Sequence, residues 1–442
     1  MRKLLFIISI IFAKLSYLFL KITKLSSGTS IIGRFVLKIC PEFLLYANDY
    51  ISKAKINVTG TNGKTTTSGL ISHLISSDNK SVINNAMGAN MLNGVVNALS
   101  VKINPCKKVD YSVIELDEAN VEIVYKQFDA DYLLVTNLFR DQLDRYGELA
   151  TTKKYIQNGI DLKPDITLVL NADDPLVASL DAHNKIYFGI KNVIKNGIND
   201  DIQSRTEEIF SCPCGRELKY SKKFYAQQGH YYCDCGYKRP QVKYEAEVTL
   251  YKTHSVIKLF DVDYYVPLVG LFNAYNALGA IAVAKELGIS NIESNIKSFK
   301  VAFGRSELKT LNGKKALIQL IKNPVGANEV LKTLDADSNI LIAINDNYAD
   351  GRDISWLWDT EFEILSKTEK NIVVSGTRAK DMALRLKYAG LDEDKITVIN
   401  DLNLAVKYVG NTTGDVTILP TYTALLQLNK MKILKKYKEE KR

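Results

Sequence analysis

The stretch KINVTGTNGKTTTSGLISHLI, Lys55 to Ile75, decides how this chain is read. It begins as a short apolar strand, turns at Gly60 and Gly63, and continues with Leu70, Ile71, Leu74 and Ile75 at helical spacing. A strand that feeds a glycine turn into a helix N-terminus aims backbone N–H groups and the positive end of the helix dipole at one point, where phosphate binds. In such a loop Lys64 reaches the outer phosphates of a nucleotide and the Thr65 hydroxyl ligates magnesium. The full phosphate-loop spacing has a glycine where this chain has Val58, so the match is to the shorter GxxGKT form. The cradle comprises Gly60, Thr61, Asn62, Gly63, Lys64, Thr65 and Thr66. Its expected ligands are ATP and Mg2+.

Three further strands follow. DYSVIELDEAN delivers Glu115, Asp117 and Glu118 at its end, ADYLLVTNLFRDQLDRYGE ends at Asn137, Asp141 and Asp144, and ITLVLNADDP ends at Asn171, Asp173 and Asp174. In open α/β sheets ligands gather at the carboxyl ends of strands. Glu115 is the candidate second magnesium ligand. After residue 304 the short apolar runs KALIQLI, NILIAIND, NIVVSGT, KITVIND and DVTILPT describe a small doubly wound unit.

A chain of 442 residues exceeds what one core holds, roughly 250 to 300 residues, so two or three domains are expected. The net charge of +9 favours anionic partners. Lys430 to Arg442 reads as a helical, lysine-rich tail. Leu4 to Leu20 is almost wholly apolar, interrupted by Lys14. It is short of the about 20 apolar residues of a spanning helix and lacks a small-residue cleavage site. It reads as an interfacial or core-packing helix with peripheral membrane contact.

The six cysteines divide unevenly. Cys212, Cys214, Cys233 and Cys235 form two CxC pairs, each followed by glycine as in zinc knuckles, whereas Cys40 and Cys106 stand alone. Two disulfides are the alternative, but a nucleotide motif implies a reducing cytosol where disulfides are rare. The expectation is a Zn2+ site on all four cysteines, with His230 as fallback ligand. Neither Cys40 nor Cys106 lies on a strand-to-helix elbow, so neither reads as a catalytic nucleophile.

The segments GTNGKTTT at Gly60 to Thr67, TN…DxLDRY at Thr136 to Tyr146, NADDP at Asn171 to Pro175, FNAYNALGA at Phe272 to Ala280 and Gly304-Arg305 resemble the ATP-dependent Mur ligase family. The resemblance implies a P-loop Mur ligase central α/β domain over 46–304, interrupted by a four-cysteine zinc ribbon at about 208–240. A helical segment over 1–45 precedes it, and a Rossmann-like C-terminal domain over 305–442 follows. By the same resemblance Asn273 and Asn276 contact adenine and Arg305 lies at a hinge near the terminal phosphate.

Departures from the family narrow the expectation. No domain that grips a UDP-linked precursor fits ahead of Gly60, Gln142 replaces a metal-binding histidine, and Lys322-Asn323-Pro324 stands where the family has an AHNP segment. With the cysteine insertion and NDNYADGRDISWLWD at Asn345 to Asp359, these features resemble the MurT-type branch, subunits of lipid II isoglutaminyl synthase. What that implies is ATP-dependent amidation of the D-glutamate α-carboxylate of lipid II at the cytoplasmic face of the membrane, through an acyl phosphate. Ammonia would come from a GatD-type glutaminase subunit whose Cys–His pair is completed by Asp353. Two rivals stand beside it. A free-standing Mur or folylpolyglutamate-type ligase would work without a glutaminase. A zinc-knuckle nucleic-acid-binding regulator would use Lys222, Lys223, Phe224 and Tyr225, whereas the main reading expects no nucleic acid.

Overall fold

The computed structural model describes residues 2–23, 30–85, 89–139, 149–196, 211–251, 253–300, 305–334 and 338–437. They fall into two compact units, the second beginning after Lys300.

The first unit is built on a nine-stranded sheet. Its strands are β1 (Ile51–Thr59), β2 (Val82–Asn84), β3 (Val109–Glu115), β4 (Tyr132–Val135), β5 (Thr167–Asn171), β6 (Asn184–Lys195), β9 (Tyr244–Leu250), β10 (Ser255–Leu259) and β11 (Val262–Val266); β7 (Lys219–Tyr225) and β8 (Gln228–Tyr232) form a separate hairpin between β6 and β9. The spatial order is β11-β10-β9-β6-β5-β4-β1-β3-β2. Pairing is parallel from β2 through to β9 and antiparallel over β9, β10 and β11. The inner strands are apolar on both faces because helices cover both sides, as parallel sheets require: Ile56, Val58, Val113, Ile114, Leu133, Leu134, Leu168 and Val169 are all buried.

Helices α1 (Arg2–Thr23), α2 (Ile31–Ile39) and α3 (Phe43–Ala47) join this unit, because Phe6, Ile10, Val36 and Phe43 share one apolar cluster with Leu99, Ile114 and Leu133. The phosphate-loop helix, α4 (Lys64–Ser77), buries Leu70, Ile71, Leu74 and Ile75 completely. Fully burying each such side chain contributes about 1.5–3 kcal/mol. Helix Leu271–Glu286 is buried along almost its whole length. Its small residues permit that: a Cβ on Gly279 would stand 3.1 Å from Leu134 and Phe188.

The second unit holds a seven-stranded sheet made of β12 (Arg305–Leu311), β13 (Lys314–Gln319), β14 (Asn339–Ala343), β15 (Ile372–Ser375), β16 (Ile396–Val398), β17 (Val416–Pro420) and β18 (Leu434–Lys436). Their order is β16-β15-β14-β17-β13-β12-β18, parallel from β16 to β13 and antiparallel for β12 and β18. The structure corrects one expectation here. The lysine-rich end is not a helix continuing from Tyr422–Lys430, because Leu434–Lys436 pairs with β12 and fills a sheet edge that would otherwise leave its backbone unpaired.

Candidate active site

β1 lies between β3 and β4, with β5 beyond β4, so the carboxyl ends of the four strands singled out in the sequence stand side by side. The loop after β1 turns where only glycine is comfortable. Gly60 has φ 121° and Gly63 φ 87°. A Cβ on Gly60 would lie 2.4 Å from Thr136 Oγ1, and one on Gly63 2.0 Å from Asn276 Oδ1. The loop is braced by the end of β4. Asn62 N–H donates to Asn137 Oδ1 at 2.8 Å, and Asn62 O accepts from Asn137 Nδ2 at 3.0 Å and from Thr136 Oγ1 at 2.7 Å. Asn137 is therefore a scaffold for the cradle.

Lys64 opens α4 and is buried. Its Nζ donates to Gly60 O at 2.6 Å and to Glu118 Oε1 at 3.0 Å. Desolvation pushes its pKa down, but the charges of Glu118, Asp117 and Glu115 outweigh this and raise it, so the ammonium is present at neutral pH. Glu115 is held from two sides. Its backbone N–H donates to Asn85 Oδ1 at 2.7 Å, and its Oε1 accepts from Asn90 Nδ2 at 3.1 Å. The second oxygen, Oε2, is buried with no hydrogen-bond partner among the described residues. An orphaned buried carboxylate oxygen beside two more buried carboxylates and one lysine is a donor set short of positive charge, which suits a hard divalent cation. Glu115 therefore fits the expected Mg2+. The role of Glu118 had no signal in the sequence beyond its place past a strand end, and Asn90 had none.

Asn273 and Asn276 both lie on helix Leu271–Glu286. Asn276 abuts the phosphate loop at Gly63, and Asn273 Nδ2 donates to Val269 O at 2.8 Å. Asp141, Gln142, Asp144 and the Arg305 side chain lie outside the described residues.

The two aspartates of NADDP, just past the end of β5, make internal contacts. Asp173, fully buried, accepts from Arg239 Nε at 2.6 Å, Tyr275 Oη at 2.8 Å and Ile190 N–H at 2.7 Å. Asp174 caps helix Pro175–Ala178 through the N–H groups of Leu176 and Val177 and accepts from Gln227 Nε2. Asp174, through Gln227, and the backbone oxygen of Asp173, which accepts from Gly229 N–H at 2.9 Å, dock the β7–β8 hairpin onto the sheet. In that hairpin region the four Sγ atoms of Cys212, Cys214, Cys233 and Cys235 lie within 4.8 Å of one another, with Cys212 to Cys235 at 3.4 Å and Cys214 to Cys233 at 3.7 Å. Each CxCG turn uses a left-handed glycine, Gly215 at φ 84° and Gly236 at φ 97°. Four thiols so gathered fit a tetrahedral Zn2+ with Zn–S bonds of about 2.3 Å. The fallback ligand is engaged elsewhere: the His230 ring nitrogen Nε2 lies 2.8 Å from Ile190 O.

In the second unit the aspartates of Asn345 to Asp359 separate by role. Asp346 pairs with Arg378 at 2.8 Å and accepts from Thr377 Oγ1. Asp350 is buried and accepts from Thr423 N–H at 2.7 Å and from Asn347 N–H at 3.1 Å. Both are spent on holding the loop. Asp353 is half-buried, and its Oδ1 accepts from Ser355 N–H at 2.8 Å. That bond fixes the carboxylate while Oδ2 has no hydrogen-bond partner among the described residues. Trp356 packs on the apolar cluster of this unit, and Trp358 is exposed beside Tyr388 and Arg385. Asn323 caps helix Pro324–Lys332 by accepting from Gly326 N–H at 2.8 Å. Cys40 is buried, and desolvation raises its thiol pKa, which suits packing better than nucleophilic attack.

A parallel sheet with a braced phosphate loop, a buried lysine and clustered carboxylates at one edge defines a P-loop α/β nucleotide-binding protein. The family model described as Mur ligase middle domain matches residues 58–284, and that described as MurT ligase C-terminal matches 320–425. The chain is 37% identical to the "Lipid II isoglutaminyl synthase (glutamine-hydrolyzing) subunit MurT" of Staphylococcus aureus (strain COL), over 90% of this chain and 91% of that one. It is 34% identical to the protein of the same name from Streptococcus pneumoniae (strain ATCC BAA-255 / R6), over 93% of each. Among solved structures, a pseudomurein peptide ligase type C from Methanothermus fervidus shares the fold with TM-score 0.68 and 23% identity over 86% of this chain and 78% of that one. MurF from Acinetobacter baumannii does so with TM-score 0.61 and 15% identity over 90% and 81%. The chain belongs to the MurT family of Mur ligases.

Proposed function

We propose that this chain is the ATP-consuming subunit of a two-protein lipid II amidotransferase that converts the D-glutamate α-carboxylate to D-isoglutamine. Likeness to MurT subunits over nine-tenths of the chain carries the reading, and the chemistry of the site agrees with it. A carboxylate does not accept ammonia at neutral pH. One of its oxygens attacks the γ-phosphorus of ATP, ADP leaves, and the acyl phosphate then takes ammonia at the acyl carbon with loss of phosphate.

Phosphoryl transfer asks the protein for position and for charge near the terminal phosphate. The N–H groups opening α4 cradle the phosphates. Lys64 exchanges Glu118 for phosphate oxygens as the nucleotide enters. Glu115 and Thr65 would hold Mg2+, which when bound neutralises charge on the β- and γ-phosphates. By the family resemblance Asn273 and Asn276 would contact the adenine, and Arg305 would lie at a hinge near the terminal phosphate.

The nitrogen comes from a GatD-type glutaminase partner. Asp353, fixed by Ser355 N–H with one oxygen to spare, would orient the imidazole of the partner's Cys–His pair, the task of the third member of a nucleophilic triad. Work on a lipid-linked substrate places the complex at the cytoplasmic face of the membrane.

The direct test mixes the purified chain and its glutaminase with lipid II, ATP, Mg2+ and glutamine and follows the product by mass spectrometry. Replacement of one carboxyl OH by NH2, with ADP and phosphate formed in equal amounts, is the expected result. Attachment of an amino acid, or turnover with glutamine when the glutaminase is left out, would favour the free-standing ligase reading.

The cysteine cluster is assigned to structural zinc. One zinc per chain should copurify by elemental analysis, and the Cys212→Ser, Cys235→Ser double variant should lose the metal and melt at a lower temperature. A metal-free preparation with the melting temperature and activity of the wild type would remove zinc from the account.

A further inference from the structure

We infer that α1 and α2 form a seat for an anionic lipid bilayer, independent of the catalytic reading above. α1 buries Phe6, Ser9, Ile10 and Ala13 against its own unit. The opposite side carries Leu4, Ile8, Ile11, Leu15, Leu18 and Ile22, all exposed, from 42% for Ile8 to 72% for Ile22. Ordinary surface helices place charge there. The stripe continues onto α2, where Ile31 and Phe35 are exposed and the Phe35 ring lies 6.3 Å from Phe12 of α1. A contiguous apolar face of this kind marks an interaction site.

Charge identifies the occupant. Arg2, Lys3, Lys21, Arg34 and Lys38 are exposed on these two helices, Lys14 is half-exposed, and no aspartate or glutamate precedes Glu42. Arg2 pairs with Glu42 at 3.1 Å, but neither helix carries an acidic residue of its own, and a broad apolar face bordered by cations matches an interfacial helix on anionic headgroups. A second copy of this face would bring like charges together, and a coiled-coil seam would call for opposite charges beside it. Contrary to the expectation from Leu4 to Leu20 alone, α1 runs from Arg2 to Thr23 and is by length and composition apolar enough to cross a bilayer, but its first half is packed into the core: the Phe6 ring centroid is 4.9 Å from Phe43 and 5.3 Å from Tyr50. A helix so held lies along the surface instead of spanning.

The test sediments the full chain with phosphatidylglycerol–phosphatidylcholine vesicles free of lipid II, so its outcome is separate from that of the amidation assay. Wild type should bind, bind at least tenfold more weakly to pure phosphatidylcholine, and dissociate as salt rises. Leu15→Glu with Leu18→Glu and Ile22→Glu should lower partitioning at least a hundredfold while circular dichroism and melting temperature stay unchanged. Equal binding of the triple variant, absence of wild-type binding, or a vesicle-independent dimer that the triple variant abolishes would each overturn the inference.

Discussion

Lys64→Ala should lower ATP-dependent amidation by about a hundredfold to a thousandfold, the cost of removing one preorganised group from developing transition-state charge. It should do so with either glutamine or ammonium as nitrogen source, because the phosphoryl step precedes the arrival of nitrogen. The substitution has a second effect. It leaves Glu118, Asp117 and Glu115 as buried carboxylates without their lysine, and breaking a buried pair in this way costs about 3–5 kcal/mol. The variant should therefore also melt earlier. Glu118→Gln on top of Lys64→Ala should recover much of the melting temperature and none of the activity, which separates chemistry from folding. Unchanged amidation in Lys64→Ala would remove the lysine from the mechanism.

Asp353→Asn should act on one nitrogen source only. With glutamine, amidation should fall by up to about ten-thousandfold, the scale of losing the carboxylate that fixes a catalytic histidine's tautomer. With ammonium chloride it should stay near wild type, since the phosphate loop belongs to another part of the chain. The asparagine keeps an oxygen to accept from Ser355 N–H, so the loop should hold its shape. Equal loss with both nitrogen sources would assign Asp353 to substrate binding or to stability. Asp346 and Asp350 predict a different phenotype: their contacts to Arg378, Thr377 and Thr423 are internal, so their removal should lower melting temperature along with both activities.

The sequence carried the phosphate loop well because its signals are local. Glycine at two left-handed positions, lysine and threonine at the helix start, and an apolar period of 3.6 lie within one short stretch, and the fold obeys each of them. The gathering of the four cysteines was legible for the same reason: each CxCG turn is a local device that presents two thiols together. What the sequence could not carry was partnership across distance. Asn137 and Asp173 stood at strand ends with residues of catalytic type, and only the topology shows that the first braces Asn62 and the second anchors Arg239 and Tyr275. Glu118 was visible as an acid past a strand end, yet its pairing with Lys64 depends on β3 lying beside β1. The lysine-rich end misled because composition suggests a solvated helix, whereas an open sheet edge recruits Leu434–Lys436 as a strand.

The claim on which the rest depends is that the chain makes an acyl phosphate on its substrate. It is tested by following 18O from the α-carboxylate of labelled lipid II with ammonium as nitrogen source and no glutaminase present. The account predicts inorganic phosphate carrying one labelled oxygen for each amide formed, seen as an isotope-shifted 31P resonance. Unlabelled phosphate alongside amide, or label recovered in AMP, would contradict it.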